Sequence, residues 1–340
     1  MSATADNVPR VLVTGGAGYV GSHACKALKA AGFVPIAYDS LIRGHQELVR
    51  YGPLEEGDIR DAARLDNVLA RHRPVAVMHF AALADVAESV AEPWLYYDNN
   101  VVGTLTLIEA ARKAGIEPFV FSSTCATYGA PAHQPISEEA PQAPINPYGR
   151  AKLAAEFALR DMGNACGLRS VMLRYFNACG ADPSGEIGEL HDPEPHLIPR
   201  VLMAATGEID AIDVFGTDYP TPDGTAIRDY IHVCDLADAH VAALRYLQAG
   251  GGTTAVNLGT GRGHSVREVI EAAKRATGRN IPVRYGDRRA GDPPALVAEA
   301  SRARVTLGFV PRWLNIEATI ASAWAWRARN GHAAQENRSI

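Results

Sequence analysis

The feature that most constrains the fold is a glycine-rich stretch near the amino terminus, TGGAGYVG over residues 14–21. It follows a run of β-forming residues, Val11–Thr14, and precedes apolar residues at helical spacing. Glycine adopts positive φ without steric cost, and a loop without side chains lets the backbone approach a pyrophosphate. The helix amino terminus offers free N–H groups and the positive end of a dipole. This order predicts a dinucleotide-binding loop at Gly15, Gly18 and Gly21.

Two aspartates extend this prediction. Asp39 closes the second predicted strand, where a carboxylate can bind the ribose hydroxyls of an adenosine. It would repel a 2′-phosphate, which favours NAD over NADP, although Arg43 stands close by in the sequence. Asp58 follows another short run, Pro53–Glu56. It can either meet the adenine edge or cap the next helix, and the pattern leaves both open.

Short apolar runs alternate with helical patterns through the first half of the chain, which is typical of parallel βαβ units. Residues 178–225 are instead rich in Gly, Pro, Asp and Glu, as binding loops often are. We therefore predict an α/β fold: a Rossmann-type, doubly wound parallel sheet with a smaller, loop-rich α/β substrate domain at the carboxyl end. We expect the NAD-binding domain over residues 9–177, completed by parts of 228–262, the substrate domain mainly over 178–330, and a frayed tail over 331–340.

Composition excludes several functional classes. The 340 residues are 47% hydrophobic, enough for a buried core, and the net charge of -5 without a basic run argues against a nucleic-acid partner. No stretch reaches the roughly 20 apolar residues of a membrane span. Five widely spaced cysteines without a Cys-x-x-Cys pair predict neither disulfides nor a zinc knuckle. We expect no metal site, no membrane partner and a cytoplasmic location.

A tyrosine and a lysine four residues apart, Tyr148 and Lys152, open a predicted helix and project from one face of it. Free tyrosine has a pKa near 10 and is a poor base at neutral pH. An ammonium beside it and a nicotinamide cation would favour the phenolate, so we expect the pKa of Tyr148 to be lowered by about 3 units. Upstream, Thr124 ends the fourth predicted strand, at the sheet edge where ligands bind. It could hold a substrate hydroxyl beside Tyr148.

These stretches resemble the extended short-chain dehydrogenase/reductase family, because TGGAGYVGS, HFAAL, SSTCATYG and YGRAK occur in the family's order. Further stretches resemble the UDP-sugar epimerases of that family and extend the likeness over roughly residues 10–328. They are LRYFNACGADPSGEIGE, FGTDYPTPDGTAIRDYIHVCDLADAH, NLGTG and RRAGDPP.

The resemblance implies a set of functional residues. It places catalysis on Thr124, Tyr148 and Lys152. It places the contacts to NAD, beyond the three loop glycines, on Tyr19, Val20, Asp39, Asp58, Ile59, Phe80, Ala81, Ala82, Asn99, Lys152 and Tyr175. It places the contacts to a UDP-sugar, beyond Thr124 and Tyr148, on Asn177, His196, Leu197, Phe215, Arg228, Arg289 and Asp292. Two arginines suit a diphosphate dianion, and a phenyl ring offers an apolar face to uracil.

Two positions depart from the family pattern. Ala84 stands where these epimerases often carry a lysine, which removes one cation near the cofactor phosphates. Leu296 stands at the position that limits pocket volume, where a tyrosine or a small residue is common. Its intermediate size leaves open whether an N-acetylated hexose fits.

The implied activity is NAD-dependent epimerisation at carbon 4 of a UDP-hexose, between UDP-glucose and UDP-galactose, through a 4-keto intermediate. A UDP-pentose or a UDP-N-acetylhexosamine is the alternative substrate. Cys125-Ala126 supplies no carboxylate beside Thr124, which argues against a dehydratase or decarboxylase. The presence of Tyr148 and Lys152 argues against a non-catalytic NAD sensor. Homodimers are common in the resembling family, with Asn99–Gly115 and Tyr148–Gly163 as the expected interface helices, whose apolar faces could equally serve the core.

Overall fold

A seven-stranded sheet forms the centre of the molecule, and every pairing in it is parallel. The computed structural model describes residues 8–289 and 292–337. The strands of this sheet are β1 (Arg10–Thr14), β2 (Val34–Asp39), β3 (Leu54–Glu56), β4 (Ala76–His79), β5 (Pro118–Thr124), β6 (Arg169–Tyr175) and β10 (Thr254–Leu258). Their order across the sheet is β10-β6-β5-β4-β1-β2-β3.

Helices cover both faces of this sheet. One face carries α1 (Tyr19–Ala30), α8 (Val233–Gln248) and α10 (Ser301–Leu307), and the other carries α2 (Ala62–His72), α5 (Gly103–Lys113) and α6 (Pro147–Cys166). Alternate side chains of β1 divide between the two layers. Val11 and Val13 pack in the core of the first layer, whereas Leu12 between them packs in the core of the second. Because helices cover both faces of the sheet, β1 must be apolar on both of its sides. The predicted α/β, doubly wound class is confirmed.

The second half of the chain contributes to this sheet and also builds a smaller unit. Its strand β10 lies at one edge of the sheet, within the range 228–262 that we expected to complete the NAD-binding domain. The domain boundaries themselves stay a prediction. The smaller unit contains β7 (Asn177–Cys179), α7 (Leu197–Thr206), β8 (Ile212–Phe215), β9 (Ile227–His232), β11 (Gly263–Ser265), α9 (Val266–Thr277), β12 (Val283–Gly286), β13 (Ala295–Leu296) and α11 (Ile316–Asn337).

Short sheets organise the smaller unit. Strand β9 pairs with β7, β11 and β13, and β8 pairs with β12. The helices α7, α9 and α11 pack against each other over a separate hydrophobic core. Because β7 follows β6 after a single residue, this unit is attached directly to the carboxyl edge of the large sheet.

Helical segments differ from the sequence expectation at two places. The predicted helix Asn99–Ala114 begins with a turn of π-helix over Asp98–Val102 that follows α4 (Pro93–Tyr97), itself preceded by α3 (Val86–Ala91). The side chain of Asn100 accepts from Leu83 N at 2.9 Å and donates to Leu83 O at 2.9 Å, which ties this wide turn to the preceding loop.

The second difference concerns the carboxyl terminus. We expected a frayed tail over 331–340, but α11 continues to Asn337, and residues 338–340 lie outside the described residues. The prediction gave weight to Gly331, which costs a helix about 1 kcal/mol relative to Ala. Ala333 and Ala334 follow it and have the highest intrinsic helix propensity.

The predicted loop region 178–225 is also more regular than its composition suggested. It contains most of β7 and all of α7 and β8. Ile198, Val201 and Leu202 form the buried face of α7, an apolar period that the flanking Pro and Glu residues obscured. Among the described residues, no helix combines the length and apolar character needed to cross a bilayer.

Candidate active site

The glycine loop lies between β1 and α1 and has the geometry of a backbone cradle. Gly15 has φ +73°, and a Cβ there would lie 2.5 Å from Ala81 N. A Cβ on Gly21 would lie 2.0 Å from Gly15 O. A Cβ on Gly18 would approach Gly15 O at 3.3 Å and no other described heavy atom within 4 Å. Two glycines are therefore required by the turn, while Gly18 leaves the outer face of the loop open.

The start of α1 and the end of β2 complete this cradle. In the described part of the chain, no side chain caps the amino terminus of α1, so its first N–H groups remain available for a phosphate. Asp39 lies beside the loop, where its Oδ2 accepts from Ala17 N at 3.0 Å and its Oδ1 from Leu41 N at 2.9 Å. Burial raises the pKa of Asp39, and these two amides oppose the rise. An open glycine face, uncapped amides and a fixed carboxylate fit an adenosine diphosphate such as that of NAD.

The other residues predicted to contact NAD lie along the same carboxyl edge of the sheet. Phe80 and Ala81 follow β4, and their amides donate to Thr14 O at 2.9 and 3.1 Å, with Ala82 next in the chain. Tyr175 ends β6. Asn99 lies in the π-helical turn, where its Nδ2 donates to Asn100 Oδ1 at 2.8 Å.

Asp58 and Ile59 lie after β3, at the side of the cradle beyond Asp39. Tyr38 Oη donates to Asp58 O at 2.7 Å, and the Asp58 carboxylate pairs with Arg60. The alternative role of Asp58 as a helix cap is not observed, because Asp61 caps α2 by accepting from Arg64 N at 3.0 Å.

The three predicted catalytic residues meet where β5 ends and α6 begins. Thr124 is 6%, Tyr148 8% and Lys152 4% exposed. The helix starts sharply because Asn146 Oδ1 accepts from Gly149 N at 2.8 Å and Pro147 occupies its first turn. This start directs Tyr148 to the end of β5 and places Lys152 one turn farther along the same face.

Burial dominates the electrostatics of the trio in the chain alone. Burial raises the pKa of Tyr148 well above its usual value; Tyr175 adds to the rise, and the Thr124 side chain opposes it. Burial lowers the pKa of Lys152 to about 7. Lys152 Nζ donates to Ser122 O at 2.8 Å and lies 4.9 Å from the centre of the Phe121 ring. The expected lowering of the Tyr148 pKa invoked a nicotinamide cation as well as Lys152, so it stays a prediction for the chain with NAD bound.

The predicted UDP-sugar residues form two contact groups in the smaller unit. Arg228 on β9 pairs with Asp292, and its Nη1 also donates to Pro293 O at 2.9 Å. The guanidinium carbon of Arg289 lies 3.9 Å from the centre of the Phe215 ring, at the end of β8. A cation stacked on an aromatic ring beside a second arginine suits a uracil diphosphate.

The remaining predicted substrate residues lie at element boundaries. Asn177 starts β7 in register with Tyr230 of β9, and Leu197 is the first residue of α7. The side chain of His196, just before α7, is already engaged, since its Nδ1 lies 2.8 Å from Glu189 Oε1 and 3.0 Å from Glu194 Oε1. A UDP-sugar would therefore have to meet His196 through its backbone or through Nε2.

Leu296 lies between the predicted catalytic residues and the predicted diphosphate-binding arginines. It packs in one hydrophobic cluster with Cys125 and Phe176, and it lies opposite Arg228 in the register of β13 and β9. Cys125 follows Thr124 directly in the chain. The side chain of residue 296 thus lies between the predicted catalytic residues and the predicted diphosphate anchor, where a sugar would lie.

The chain matches the NAD dependent epimerase/dehydratase family over residues 11–259, from β1 through β10. This chain belongs to that family.

Individual relatives match almost the whole chain. The UDP-glucose 4-epimerase of Rhizobium meliloti (strain 1021) is 56% identical over 319 residues, which cover 94% of this chain and 97% of that protein. The crystal structure of UDP-glucose 4-epimerase from Brucella ovis in complex with NAD has a TM-score of 0.91 and 55% identity, covering 93% of this chain and 98% of that one. The UDP-glucose-4-epimerase from Stenotrophomonas maltophila with bound NAD and formylated UDP-arabinopyranose has a TM-score of 0.92 and 39% identity, covering 96% and 100%.

Sequence reasoning missed the support behind the catalytic edge of this family member. Ser122 Oγ lies 2.8 Å from Tyr175 Oη. Ser123 Oγ donates to Glu156 Oε1 at 2.6 Å, and Glu156, fully buried on α6, also binds Arg174 at 2.9 and 2.6 Å. A signal existed, because Glu156 stands four residues after Lys152 and therefore on the same helical face. This buried pair ties β5, β6 and α6 together immediately behind Thr124.

Proposed function

We propose that this chain is an isomerase that uses bound NAD to invert carbon 4 of a UDP-hexose, interconverting UDP-glucose and UDP-galactose. The observation that carries the proposal is the joint burial of Thr124, Tyr148 and Lys152 beside the glycine loop. A relative that is 56% identical over 94% of this chain is a UDP-glucose 4-epimerase, which supports the choice of substrate.

NAD is the cofactor for which the cradle is suited. The glycine loop and the amino terminus of α1 would hold the pyrophosphate, and Asp39 would accept from the adenosine ribose. The adenine and pyrophosphate sides of the cofactor pocket would be lined by the backbone after β4, the backbone after β3 and the turn that contains Asn99. Lys152 and Tyr175 would lie at the nicotinamide end. Ala84 contributes no cation, so retention of NAD would depend on these other contacts.

Tyr148 is the group that would move the proton. NAD, when bound, supplies a reversible hydride acceptor and a positive charge near the reacting carbon. That charge opposes the desolvation that raises the pKa of Tyr148 in the chain alone. Tyr148 Oη would then take the proton of the sugar 4-hydroxyl, while the hydroxyl of Thr124 orients the oxygen. After the 4-keto sugar presents its other face, the same Tyr148 would return the proton.

The smaller unit would hold the nucleotide while the sugar turns. Arg228 and Arg289 supply the two cations that a diphosphate needs, and Phe215 supplies an apolar face for uracil. Asn177, Leu197 and the backbone around His196 would complete the pocket, with Asp292 positioning Arg228. An anchor at the nucleotide and a loose sugar allow reaction on both faces of carbon 4.

The surroundings of Thr124 argue against elimination or decarboxylation. Cys125 and Ala126 carry no carboxylate, and burial raises the pKa of Cys125 to about 12, so its thiol is a poor base. The carboxylate behind the strand belongs to Glu156, which is fully buried and paired with Arg174. A carboxylate held in that pair is unavailable to protonate or deprotonate a sugar.

We also propose that the chain forms a homodimer through α5 and α6. Leu105 on α5 and Phe157 on α6 are 45% and 54% exposed, although both are large apolar side chains. A second copy would cover them. Sedimentation velocity should show a dimer for the chain and a monomer for Phe157→Glu. A cytoplasmic location fits the five free cysteines, which a reducing compartment maintains.

Product analysis without added NAD tests the proposed reaction. Purified chain is incubated in parallel with UDP-galactose, UDP-N-acetylgalactosamine and UDP-arabinose, and the products are separated by ion-pair chromatography. We expect conversion of UDP-galactose to UDP-glucose, and release of NAD when the protein is denatured. Conversion of UDP-arabinose alone would transfer the assignment to a UDP-pentose. Failure to convert any of the three, in a protein that contains NAD, would overturn the proposal.

A further inference from the structure

A cluster of two glutamates and two histidines lies outside the residues that the proposed reaction uses for chemistry. It is formed by Glu189, His191, Glu194 and His196, which we call the Glu-His cluster. The sequence ELHDPEPH over residues 189–196 repeats Glu-x-His twice, in the segment between β7 and α7. Glu189 and Glu194 side chains are 8% and 7% exposed, whereas His191 and His196 are 31% and 46% exposed. The carboxylates are thus buried beneath two partly open imidazoles.

The ligand atoms of the Glu-His cluster form a closed ring. Glu189 Oε1 lies 3.0 Å from Nδ1 of His191 and 2.8 Å from Nδ1 of His196. Glu194 Oε1 lies 3.0 Å from the same nitrogen of His196, and Glu194 Oε2 lies 3.7 Å from that of His191. Zinc ligands at about 2.0–2.1 Å in a tetrahedron are separated by roughly 3.3 Å. The single ligand atoms that the four residues offer lie within 4.8 Å of one another, so contraction by up to about 1.5 Å would bring all four around one centre.

One imidazole nitrogen of the cluster meets both carboxylates. Nδ1 of His196 carries at most one proton and lies within 3.0 Å of oxygens from both glutamates. Without a cation, its N–H is shared between them in a three-centre hydrogen bond. A divalent cation in the same place would be bound by both oxygens and by the deprotonated nitrogen.

We propose that the Glu-His cluster is a binding site for one divalent transition-metal cation of the zinc class. Two imidazole nitrogens and two carboxylate oxygens are a donor set that zinc and its neighbours accept. Magnesium and calcium favour sites built entirely from oxygen, and the two imidazoles select against them. The two glutamates balance the charge of a divalent ion, which their burial requires. We expected no metal site because the cysteines show no metal-binding spacing. The sequence signal for this cluster is the repeated Glu-x-His instead.

The segment that carries the cluster connects several parts of the molecule. Nε2 of His45, which follows β2, lies 2.8 Å from Leu190 O. Trp326 of α11 donates to Glu189 O at 3.3 Å. The ring of His191 makes an edge contact with Tyr19 of the glycine loop, 6.3 Å between centres. A cation bound here would therefore fix the start of α7 relative to the cofactor loop.

The test uses tag-free full-length protein that retains its NAD and has been treated with a chelator. Isothermal titration with Zn²⁺ should show one site per chain. Co²⁺ should give the visible absorption of a tetrahedral site without the near-ultraviolet band of thiolate ligands. His191→Ala should weaken binding by more than about 10-fold. The matched control is His133→Ala, which removes an exposed histidine outside the cluster and should bind as the parent does.

Several outcomes would overturn the proposal. They are the absence of stoichiometric Zn²⁺ binding, a cobalt spectrum of thiolate type, and His191→Ala binding equal to the parent. Glu189→Gln serves as a second variant if His191→Ala fails to fold, because it preserves the shape of the side chain and removes its charge. It should also lose binding. Epimerase activity is measured separately on each protein, so failure of the metal site is distinguishable from failure of the proposed reaction.

Discussion

The carboxyl edge of the large sheet and the ligand-binding face of the smaller unit are built in opposite ways. At the sheet edge, Tyr148 and Lys152 are almost fully buried, and desolvation is the largest influence on the pKa of each. In the smaller unit, Phe215 is 37% exposed and the arginines are held by partners within the unit, as in the pair of Arg228 with Asp292. The sheet edge therefore excludes water before any ligand binds. The ligand-binding face of the smaller unit is more exposed to solvent.

This difference reflects the two tasks that the proposed reaction sets. Proton transfer benefits from a site whose groups are already dry and fixed, since electrostatic interactions strengthen there. A dianionic nucleotide must enter from water, so its binding cations are better left partly accessible, as the Arg228 side chain is at 15% exposure. The comparison predicts that changes at the sheet edge alter turnover, whereas changes in the smaller unit alter binding.

The largest effect is expected at Tyr148. Tyr148→Phe removes the proton-transferring hydroxyl and should lower kcat for UDP-galactose by about 10²–10⁴-fold, measured in a coupled assay for UDP-glucose. Tyr128→Phe is the matched control, because Tyr128 Oη is also buried, 2.7 Å from Asn257 Oδ1. It should keep kcat and lose about 1 kcal/mol of unfolding free energy. Unchanged turnover in Tyr148→Phe would contradict the assigned role.

The second prediction concerns the anchor. Arg228→Leu removes a charge-assisted contact to the diphosphate, worth about 1.5–3 kcal/mol, and should raise KM by roughly 10–100-fold with little change in kcat. Arg284→Leu is the control, since Arg284 is 62% exposed and pairs with Asp213 at 2.9 Å. An exposed pair contributes about 0–1 kcal/mol, and KM should not move. A fall in kcat without a rise in KM for Arg228→Leu would contradict the assignment of turnover to the sheet edge and of substrate binding to the smaller unit.

The third prediction uses the pH dependence of stability in chain freed of NAD. The folded pKa of Lys152 is about 7, below its value of 10.5 in model compounds. Between these values the unfolded chain binds a proton that the folded chain does not, so stability rises with pH in this window. Relative to Lys152→Met, the free energy of unfolding should increase by up to about 1.4 kcal/mol per pH unit from pH 7 to 9. Urea titrations that gave parallel curves for both proteins would show that Lys152 is not desolvated as described.

The smallest effect is expected at the junction of the two regions. Leu296→Ala enlarges the space beside Cys125 and should raise kcat/KM for UDP-N-acetylgalactosamine, relative to UDP-galactose, by about 10-fold. Leu296→Tyr should lower the same ratio. Val305→Ala is the control, because Val305 is 81% exposed on α10. Equal ratios in all these proteins would remove residue 296 as a determinant of sugar size.

The sequence predicted well those features that depend on local pattern. The glycine loop, the order of strands and helices, and the placement of Tyr148 and Lys152 on one face of α6 follow from spacing within a few residues. The family likeness and the choice of NAD depended on the same short motifs. Such features are set by backbone sterics and by the helical repeat, which a sequence displays directly.

Features that depend on distant contacts were not predictable in this way. In the chain alone, burial raises the pKa of Tyr148, and the sequence shows the charge of Lys152 but not that burial. The pair of Glu156 with Arg174 joins a helix to a strand 18 positions away. The helix α7 was hidden because its apolar period is short and is flanked by prolines. Each of these requires the folded arrangement.

A contact between the two halves of the chain has a kinetic consequence. Tyr19 in the glycine loop donates to Gly180 O at 2.6 Å, and Lys26 on α1 pairs with Asp182 and Glu186, each at 2.7 Å. These bonds fasten the segment after β7 over the loop that would hold the cofactor phosphates. Release of NAD would require these hydrogen bonds and ion pairs to break. The residence time of the cofactor should therefore far exceed the duration of one catalytic cycle. The turnover rate would then not depend on the ratio of NAD⁺ to NADH in the surrounding medium. It would depend only on the concentrations of the UDP-sugars.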